Sequence, residues 1–175
     1  MAQYLALSTP VGDTAVCAEG GAITGVYFKG QRHAPVLSWD ALPRETDDPL
    51  LLAANAWLIR YFLGENPPVD FSLEPSGTAF QRTVWALLKE IPYGKTTTYG
   101  ELARKLSSSP RAVGGAVGRN PISILIPCHR VVGTDSSLTG YAGGLEIKKF
   151  LLALEEEHTT LGKANTLPAP AAQGE

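Results

Sequence analysis

The side chains best suited to chemistry stand next to one another: the thiol of Cys128, the imidazole of His129 and the guanidinium of Arg130. A thiol is nucleophilic as the thiolate, and a neighbouring histidine or arginine favours that form. Aliphatic residues flank the trio within residues 124–132, which predicts a short buried strand. Pro127 restricts its own φ and disfavours helix at the preceding residue. From the trio alone, a nucleophilic cysteine and an inert buried cysteine both remain open, because buried cysteines are common and usually unreactive.

Three predicted helices precede the trio and would position it. Residues 78–81 form a T-x-x-Q capping box, and residues 98–101 form a second box of the T-x-x-E type. Ser109 caps the third helix, with Pro110 at its first position. Because the second and third helices are joined by so brief a turn, the sequence predicts a helix-turn-helix.

The third predicted helix contains three glycines, each of which costs about 1 kcal/mol relative to alanine in a helix interior. Such small residues allow another body to approach the backbone closely. Packing against a neighbouring helix and docking against a ligand surface such as a DNA groove both remain open. Arg111 lies near the start of this helix, where a groove-reading residue of a helix-turn-helix sits. Asn120 and Pro121 end the helix.

The remaining elements give an α/β organisation. Short strand-like runs at residues 4–8, 14–18 and 23–28, with a turn at Gly20-Gly21, predict a small sheet. A helix begins after Asp48, and a proline-rich linker at residues 67–77 separates the halves. After the trio come a glycine-rich loop and a last amphipathic helix that carries Glu155. The predicted units are residues 1–75, residues 76–158 and a disordered tail at 159–175.

Bulk properties exclude several classes of protein. The 175-residue chain has no apolar run near the roughly 20 residues of a membrane span, and no signal peptide is expected. Two cysteines, Cys17 and Cys128, suit a reducing cytosol, and three scattered histidines give no metal-ligand spacing. Residues 1–75 carry 4 Lys/Arg and 9 Asp/Glu, a balance of −5, whereas residues 76–160 carry 10 and 7, a balance of +3. This asymmetry permits a polyanionic partner of the second half.

Seven motifs together resemble a known family. They are Gly-Thr-Ala-Phe-Gln at 77–81, Ile-Pro-Tyr-Gly at 91–94, Tyr-Gly-Glu-Leu-Ala at 99–103, Arg-Ala-Val-Gly at 111–114, Asn-Pro at 120–121, Ile-Pro-Cys-His-Arg-Val at 126–131 and Gly-Tyr-Ala-Gly-Gly at 140–144. In this order and spacing they are similar to the O6-alkylguanine-DNA alkyltransferases. The resemblance implies a small RNase H-like N-terminal domain with a short antiparallel sheet and a helix. It also implies a mostly helical C-terminal domain with a winged-helix-like helix-turn-helix and a buried active-site strand.

The resemblance further implies a single-turnover repair reaction without cofactor or metal. Cys128 would take the alkyl group from O6 of a flipped guanine, or from O4 of alkylthymine, and His129 would accept the thiol proton through a water. Glu155 would orient the imidazole, and Tyr99 would donate a hydrogen bond to guanine N3. For Arg130 the resemblance leaves two roles open, a structural ion pair and a phosphate contact.

Duplex DNA bound through its minor groove is the implied partner of a monomeric protein. Arg111 would fill the gap left by the flipped base, and small residues would let the helix enter the groove, namely Ala112, Gly114, Gly115 and Ala116. Asn120 would brace the turn before the active-site strand. The guanine pocket would be formed by Val117, the Val131 carbonyl and the backbone of Tyr141, Ala142 and Gly143.

Three other functions compete with this prediction. An alkyltransferase-like protein that binds the lesion without chemistry would lack Cys128. A helix-turn-helix regulator would not need that cysteine. A cysteine hydrolase would require an oxyanion hole, for which the sequence gives no sign.

Overall fold

The computed structural model describes residues 1–135 and 137–166, and its first half is built on a three-stranded antiparallel sheet. The strands are β1 (Gln3–Thr9), β2 (Gly12–Glu19) and β3 (Ala22–Phe28), and β2 lies in the centre. Gly20 and Gly21 have φ values of 62° and 82°, as a tight hairpin turn with two left-handed residues requires. The predicted sheet is therefore confirmed, with each strand slightly longer than expected.

Helix α1 (Pro49–Phe62) covers this sheet. The side chain of Asp48 accepts hydrogen bonds from the amides of Leu50 and Leu51, both at 2.9 Å, so the predicted N-cap is confirmed. The face of α1 that packs inward consists of Leu51, Ala54, Trp57, Leu58 and Tyr61.

The second half is mostly helical. Its elements are α2 (Ala79–Leu88), β4 (Thr97–Thr98), α3 (Tyr99–Leu106), α4 (Pro110–Gly118), β5 (Val131–Val132) and α5 (Leu145–Thr166). Thr78 forms the predicted capping box of α2, while at α3 only the Thr98 half of the box is present. Residues 107–109 join α3 to α4, with Ser107 in the left-handed region at φ 50° and Ser109 capping α4. The predicted pair of short helices joined by a tight turn is confirmed.

The two halves share one hydrophobic core. The Val26 amide of β3 donates to the Pro121 carbonyl at 2.9 Å, and the Val26 carbonyl accepts a hydrogen bond from the Ser123 amide at 3.2 Å. Trp85 of α2 and Phe28 of β3 belong to the same buried cluster. The segment that leads to Cys128 is thus fixed on the edge of the N-terminal sheet.

Two sequence-based boundaries differ from the structure. The reactive trio does not lie on a strand: Cys128–Arg130 is a single 3-10 turn, and β5 contains only Val131–Val132. The turn closes because the Arg130 amide bonds to the Pro127 carbonyl at 3.0 Å, which the fixed φ of proline favours. At the other end of the second half, α5 runs to Thr166, so residues 159–166 of the predicted disordered tail are helical, and residues 167–175 lie outside the described residues.

Candidate active site

A kinked segment braced by Asn120 presents Cys128. Ile124 has a φ of 71°, a conformation that costs a β-branched residue on the order of 1–2 kcal/mol. Asn120 spans this kink, because its Oδ1 accepts the Ile122 amide at 3.0 Å and its Nδ2 donates to the Ile126 carbonyl at 2.8 Å. The predicted bracing role of Asn120 therefore has a direct geometric basis.

Behind the turn, the carboxylate of Glu155 is the centre of a buried polar network. Its Oε2 lies 2.6 Å from His129 Nε2 and accepts a hydrogen bond from the Tyr61 hydroxyl, also at 2.6 Å. Its Oε1 accepts bonds from Arg130 Nε at 2.8 Å and from the Gly94 amide at 3.1 Å. Glu155 is 1% exposed, so these partners replace the water it has lost.

The network determines the protonation of His129. Although burial alone would raise the pKa of Glu155, hydrogen bonds and charges from His129 and Arg130 lower it to about 2. An ionised carboxylate only accepts hydrogen bonds, so Nε2 of His129 must carry a proton. Burial lowers the pKa of the imidazole, which favours its neutral form. Neutral His129 then has an unprotonated Nδ1, and this atom has no hydrogen-bond partner among the described residues.

The structure distinguishes between the two roles considered for Arg130. Its side chain is nearly buried, and besides both oxygens of Glu155 it donates from an Nη to the Ile91 carbonyl at 2.7 Å. A guanidinium that already has these partners is an internal ion pair. It is not available as a contact for DNA phosphate.

Lys148 is a second buried cation near the thiol. Its side chain is fully buried, and its Nζ donates to the carbonyls of Val131 at 2.7 Å and Thr139 at 2.9 Å. Burial lowers the pKa of Lys148 to about 8, and the neighbouring Cys128 opposes that shift. The ammonium also lies 5.9 Å from the ring centroid of Tyr99. Lys148 therefore ties the loop after β5 to α5 and places positive charge near Cys128.

The thiol of Cys128 is held mostly protonated until a base acts on it. Burial raises its pKa, and Asn120, Tyr141 and the charge of Lys148 offset this rise in part. The arrangement can hold a neutral thiol at rest. It can stabilise a thiolate when a proton acceptor and a desolvated electrophile are both present.

A cavity of about 420 Å³ opens next to Cys128. Tyr99 forms part of its wall, where the phenol donates a long 3.4 Å hydrogen bond to the Thr139 carbonyl. Burial raises the pKa of this phenol, which keeps it protonated as a donor. The residues that line the cavity are Arg32, Tyr99, Pro110, Arg111, Gly114, Val117, Gly118, Asn120, Ser123, Cys128, Thr139, Gly140, Tyr141 and Ala142.

Two residues predicted for the pocket wall lie elsewhere. The Val131 carbonyl is engaged by Lys148, and the side chain of Val131 is buried in the core. Gly143 lies against Phe28, whose ring would be 2.7 Å from an added Cβ. Neither borders the cavity, so Val131 and Gly143 support the wall formed by Tyr141 and Ala142.

Helix α4 has one outward face of small residues. Arg111, Ala112 and Gly115 are exposed, and Gly114 is half-buried beside the Tyr99 ring. Ala116 differs from its prediction: it is buried, and its carbonyl accepts the Trp85 indole N–H at 2.8 Å. The outward face is therefore narrower than the sequence suggests.

Sequence reasoning missed Tyr61 and Lys148. Tyr61 contacts Glu155 across 94 positions of the chain, and no local pattern signals such a contact. Lys148 had a usable signal, because Lys148, Leu151 and Glu155 follow the spacing i, i+3, i+7 of a single helix face. All three are buried, so the inward ridge of α5 carries two charged side chains.

No helix among residues 1–135 and 137–166 has the length and apolarity of a membrane span. The same residues contain no group of three or more His, Cys, Asp or Glu side chains placed to hold a metal ion.

The comparisons with known proteins agree with this geometry. Residues 79–157 match the family model described as 6-O-methylguanine DNA methyltransferase, DNA binding domain. The methylated-DNA--protein-cysteine methyltransferase of Haemophilus influenzae is 43% identical over 94% of this chain and 93% of its own length. Its counterpart in Methanosarcina acetivorans is 44% identical over 87% of this chain and 97% of its own length. Among solved structures, Mycobacterium tuberculosis OGT in complex with DNA is 38% identical, with a TM-score of 0.78 over 89% of this chain and 94% of that one.

Proposed function

The chain belongs to the methylated-DNA--protein-cysteine methyltransferase family, and on that basis we propose that Cys128 receives the alkyl group of O6-alkylguanine in duplex DNA. The observation that carries this proposal is the position of Cys128. It borders a cavity of about 420 Å³, and the neighbouring His129 has an unprotonated, buried Nδ1 that finds no hydrogen-bond partner within the described part of the chain.

Proton transfer precedes the attack. Nδ1 of His129 accepts the thiol proton through a water, while Glu155 holds the ring by its Nε2 proton and stabilises the resulting imidazolium. The charge of Lys148 favours the thiolate that remains. The thiolate then attacks the alkyl carbon, a C–S bond forms and the C–O6 bond breaks. The electron pair goes to the guanine, which takes up one proton and becomes ordinary guanine, while the imidazolium releases the proton that it took from the thiol.

The phenol of Tyr99 assists departure of the base. In the proposed complex it donates to guanine N3 and reduces the negative charge on the leaving base. Its long bond to Thr139 is weak and easily exchanged for this contact. The product is a thioether, which is stable in water, so each protein molecule acts once.

The lesion reaches Cys128 by flipping out of the duplex, because a base inside the stack cannot enter the cavity. Helix α4, part of a winged-helix-like helix-turn-helix, enters the minor groove with its small outward residues, Ala112, Gly114 and Gly115. Arg111 occupies the gap in the stack. The protein acts as a monomer, and an RNase H-like N-terminal domain supports the site.

The competing functions fit the site less well. A protein that only binds lesions would not need the thiol of Cys128, which lies next to the buried His129–Glu155 network. A helix-turn-helix regulator needs neither that network nor the cavity.

A stoichiometric repair assay tests the proposal. The protein is incubated with duplex DNA that carries one O6-methylguanine, and its peptides are then mapped by mass. We expect one methyl group on Cys128 and at most one lesion repaired per protein molecule. Repeated turnover, or methylation of Cys17, would refute the proposal. Arg111→Ala should slow repair in duplex DNA. An unchanged repair rate would show that Arg111 does not fill the gap left by the flipped base.

A further inference from the structure

The turn that follows β3 connects the N-terminal sheet to the lesion cavity. The amide of Arg32 donates to the Ala142 carbonyl at 3.0 Å, and Arg32 is one of the residues that line the cavity. Phe28, at the base of the turn, is buried against Tyr141, with ring centroids 6.4 Å apart. The first half of the chain thus contributes a wall residue to a site otherwise built by the second half.

Hydrogen bonds close the start of the turn, and two of its residues have positive φ values. Gln31 closes it, because its amide donates to the Phe28 carbonyl and its Oε1 accepts the Phe28 amide, both at 3.0 Å. Gly30 has a φ of 85°, which glycine adopts without strain, whereas His33 has a φ of 62°, which is uncommon for a side-chain-bearing residue. A conformation of this kind persists where surrounding contacts enforce it. The Arg32 backbone is therefore held in place beside the cavity before any ligand arrives.

The distribution of charge singles out this turn. Residues 1–75 contain only four cations against nine acids. Arg44 pairs with Asp13 at 3.4 Å, and Arg60 pairs with Glu65 at 2.7 Å. Within the described residues the other two cations, Lys29 and Arg32, form no ion pair, and both are exposed on this turn. Both unpaired cations of this acidic half therefore lie on one turn, and of the two only Arg32 borders the cavity.

The cavity mouth has a charge suited to phosphate. Its charged lining residues, within the described part of the chain, are Arg32 and Arg111, and none of the lining residues carries a carboxylate. A nucleotide whose base enters the cavity leaves its own phosphates at the mouth. Arg111 is already assigned to the gap in the duplex, so Arg32 is the cation left for these phosphates.

We propose that Arg32 binds a backbone phosphate of the flipped nucleotide and thereby holds the lesion in the cavity. This inference rests on the proposed function. It assigns the N-terminal half a direct part in recognition, through a charge-assisted contact of guanidinium and phosphate. The salt slope is the slope of the logarithm of the binding constant against the logarithm of the salt concentration. One phosphate contact contributes about one unit to this slope.

The test compares Arg32→Ala with Lys29→Ala, which removes the same charge from the same turn but does not border the cavity. Binding of a lesion-bearing duplex is measured across salt concentrations on a Cys128→Ser background, where no transfer occurs. We expect Arg32→Ala to weaken binding roughly 3- to 10-fold and to lower the salt slope by about one, as loss of one phosphate contact predicts. Arg32→Lys should restore the slope, and Lys29→Ala should change it by less than about half a unit.

A second measurement separates phosphate binding from pocket shape. Methylation of Cys128 is followed with the lesion duplex and with free O6-methylguanine, which has no phosphate. For Arg32→Ala we expect the ratio of the two rates to fall on the order of 10-fold, and for Lys29→Ala we expect no change. An unchanged salt slope, an unchanged ratio, or equal effects of the two variants would overturn the assignment of Arg32. If the unsubstituted protein methylates no cysteine with either substrate, the proposed function itself fails, whatever the salt slope shows.

Discussion

Cys17 and Cys128 are equally buried, at 5% exposure each, yet their surroundings differ in almost every other respect. Cys17 lies in the central strand β2, where it pairs with Tyr4 of β1 and Gly25 of β3. Its sulfur accepts a hydrogen bond from the Thr24 hydroxyl at 3.3 Å. Cys128 lies on a 3-10 turn, beside a cavity and next to a histidine that is held by a buried carboxylate.

This difference shows that burial does not decide which thiol reacts. Both sulfurs are shielded from bulk solvent, but only around Cys128 are a base, a cation and an open volume combined. A thiol in a sheet centre behaves as a small apolar side chain. A thiol with an adjacent base and a space for an electrophile is a nucleophile.

The largest effect is expected from exchanging the two cysteines for alanine in separate variants. Cys128→Ala should abolish methyl transfer, because no other group can form the C–S bond. It should still bind lesion-bearing DNA. Cys17→Ala should transfer at a rate within about twofold of the unsubstituted protein, with a small loss of stability from the deleted buried sulfur. Single-turnover repair kinetics measure the transfer rate of each variant, and thermal unfolding measures its stability. Loss of transfer in Cys17→Ala would contradict the assignment of Cys128 as the reactive thiol.

The next effect comes from neutralising the carboxylate behind Cys128. Glu155→Gln leaves Arg130 buried without its counter-charge, which typically costs about 3–5 kcal/mol in free energy of unfolding. Chemical denaturation measures this loss. The double variant Glu155→Gln/Arg130→Met should recover much of the stability, since it removes the unpaired charge, but it should not recover the transfer rate. Equal stability of Glu155→Gln and the unsubstituted protein would contradict the network as described.

The free energy of unfolding should also depend on pH, because the same network around Glu155 lowers the pKa of its carboxyl group. This effect is somewhat smaller than that of Glu155→Gln. The folded pKa of Glu155 is about 2, below its ordinary value of 4.5, so the unfolded chain binds the proton more readily. Its stabilising contribution is therefore complete above pH about 4.5 and is lost as the pH falls towards 2. The shift corresponds to on the order of 3 kcal/mol. The free energy of unfolding of Cys17→Ala, measured from pH 6 to pH 2, should fall by this amount. The fall should be smaller in Glu155→Gln/Arg130→Met, which lacks the carboxylate.

Local signals in the sequence predict the sheet that contains Cys17 and the helix starts, although the strand predicted at Cys128 is a 3-10 turn. The strand pattern, the Gly20-Gly21 turn and the caps at Asp48 and Thr78 all hold in the structure. Each depends on residues within four positions of one another, which is the range over which capping and turn chemistry acts.

The long-range features of the site could not be predicted in this way. The left-handed Ile124 carries no sequence signal, since a β-branched residue disfavours that conformation. Strain of this kind is held by tertiary contacts, here the side chain of Asn120. The docking of Arg32 on Ala142 joins positions more than 100 residues apart, and periodicity contains no information about such a pair.

The smallest effect concerns two tyrosines, Tyr61, which is bonded to Glu155, and Tyr27, which lies close to Cys17. Tyr61→Phe removes one hydroxyl donor from Glu155 Oε2, which keeps its bond to His129. We expect a loss of about 1–2 kcal/mol in free energy of unfolding and a several-fold slower transfer, because the imidazole is held less firmly. Tyr27→Phe, on β3 near Cys17, is the matched control and should leave the transfer rate unchanged. If both variants slowed transfer equally, the N-terminal half would support the site only through general stability. An effect confined to Tyr61→Phe would show that α1 acts on Cys128 through Glu155.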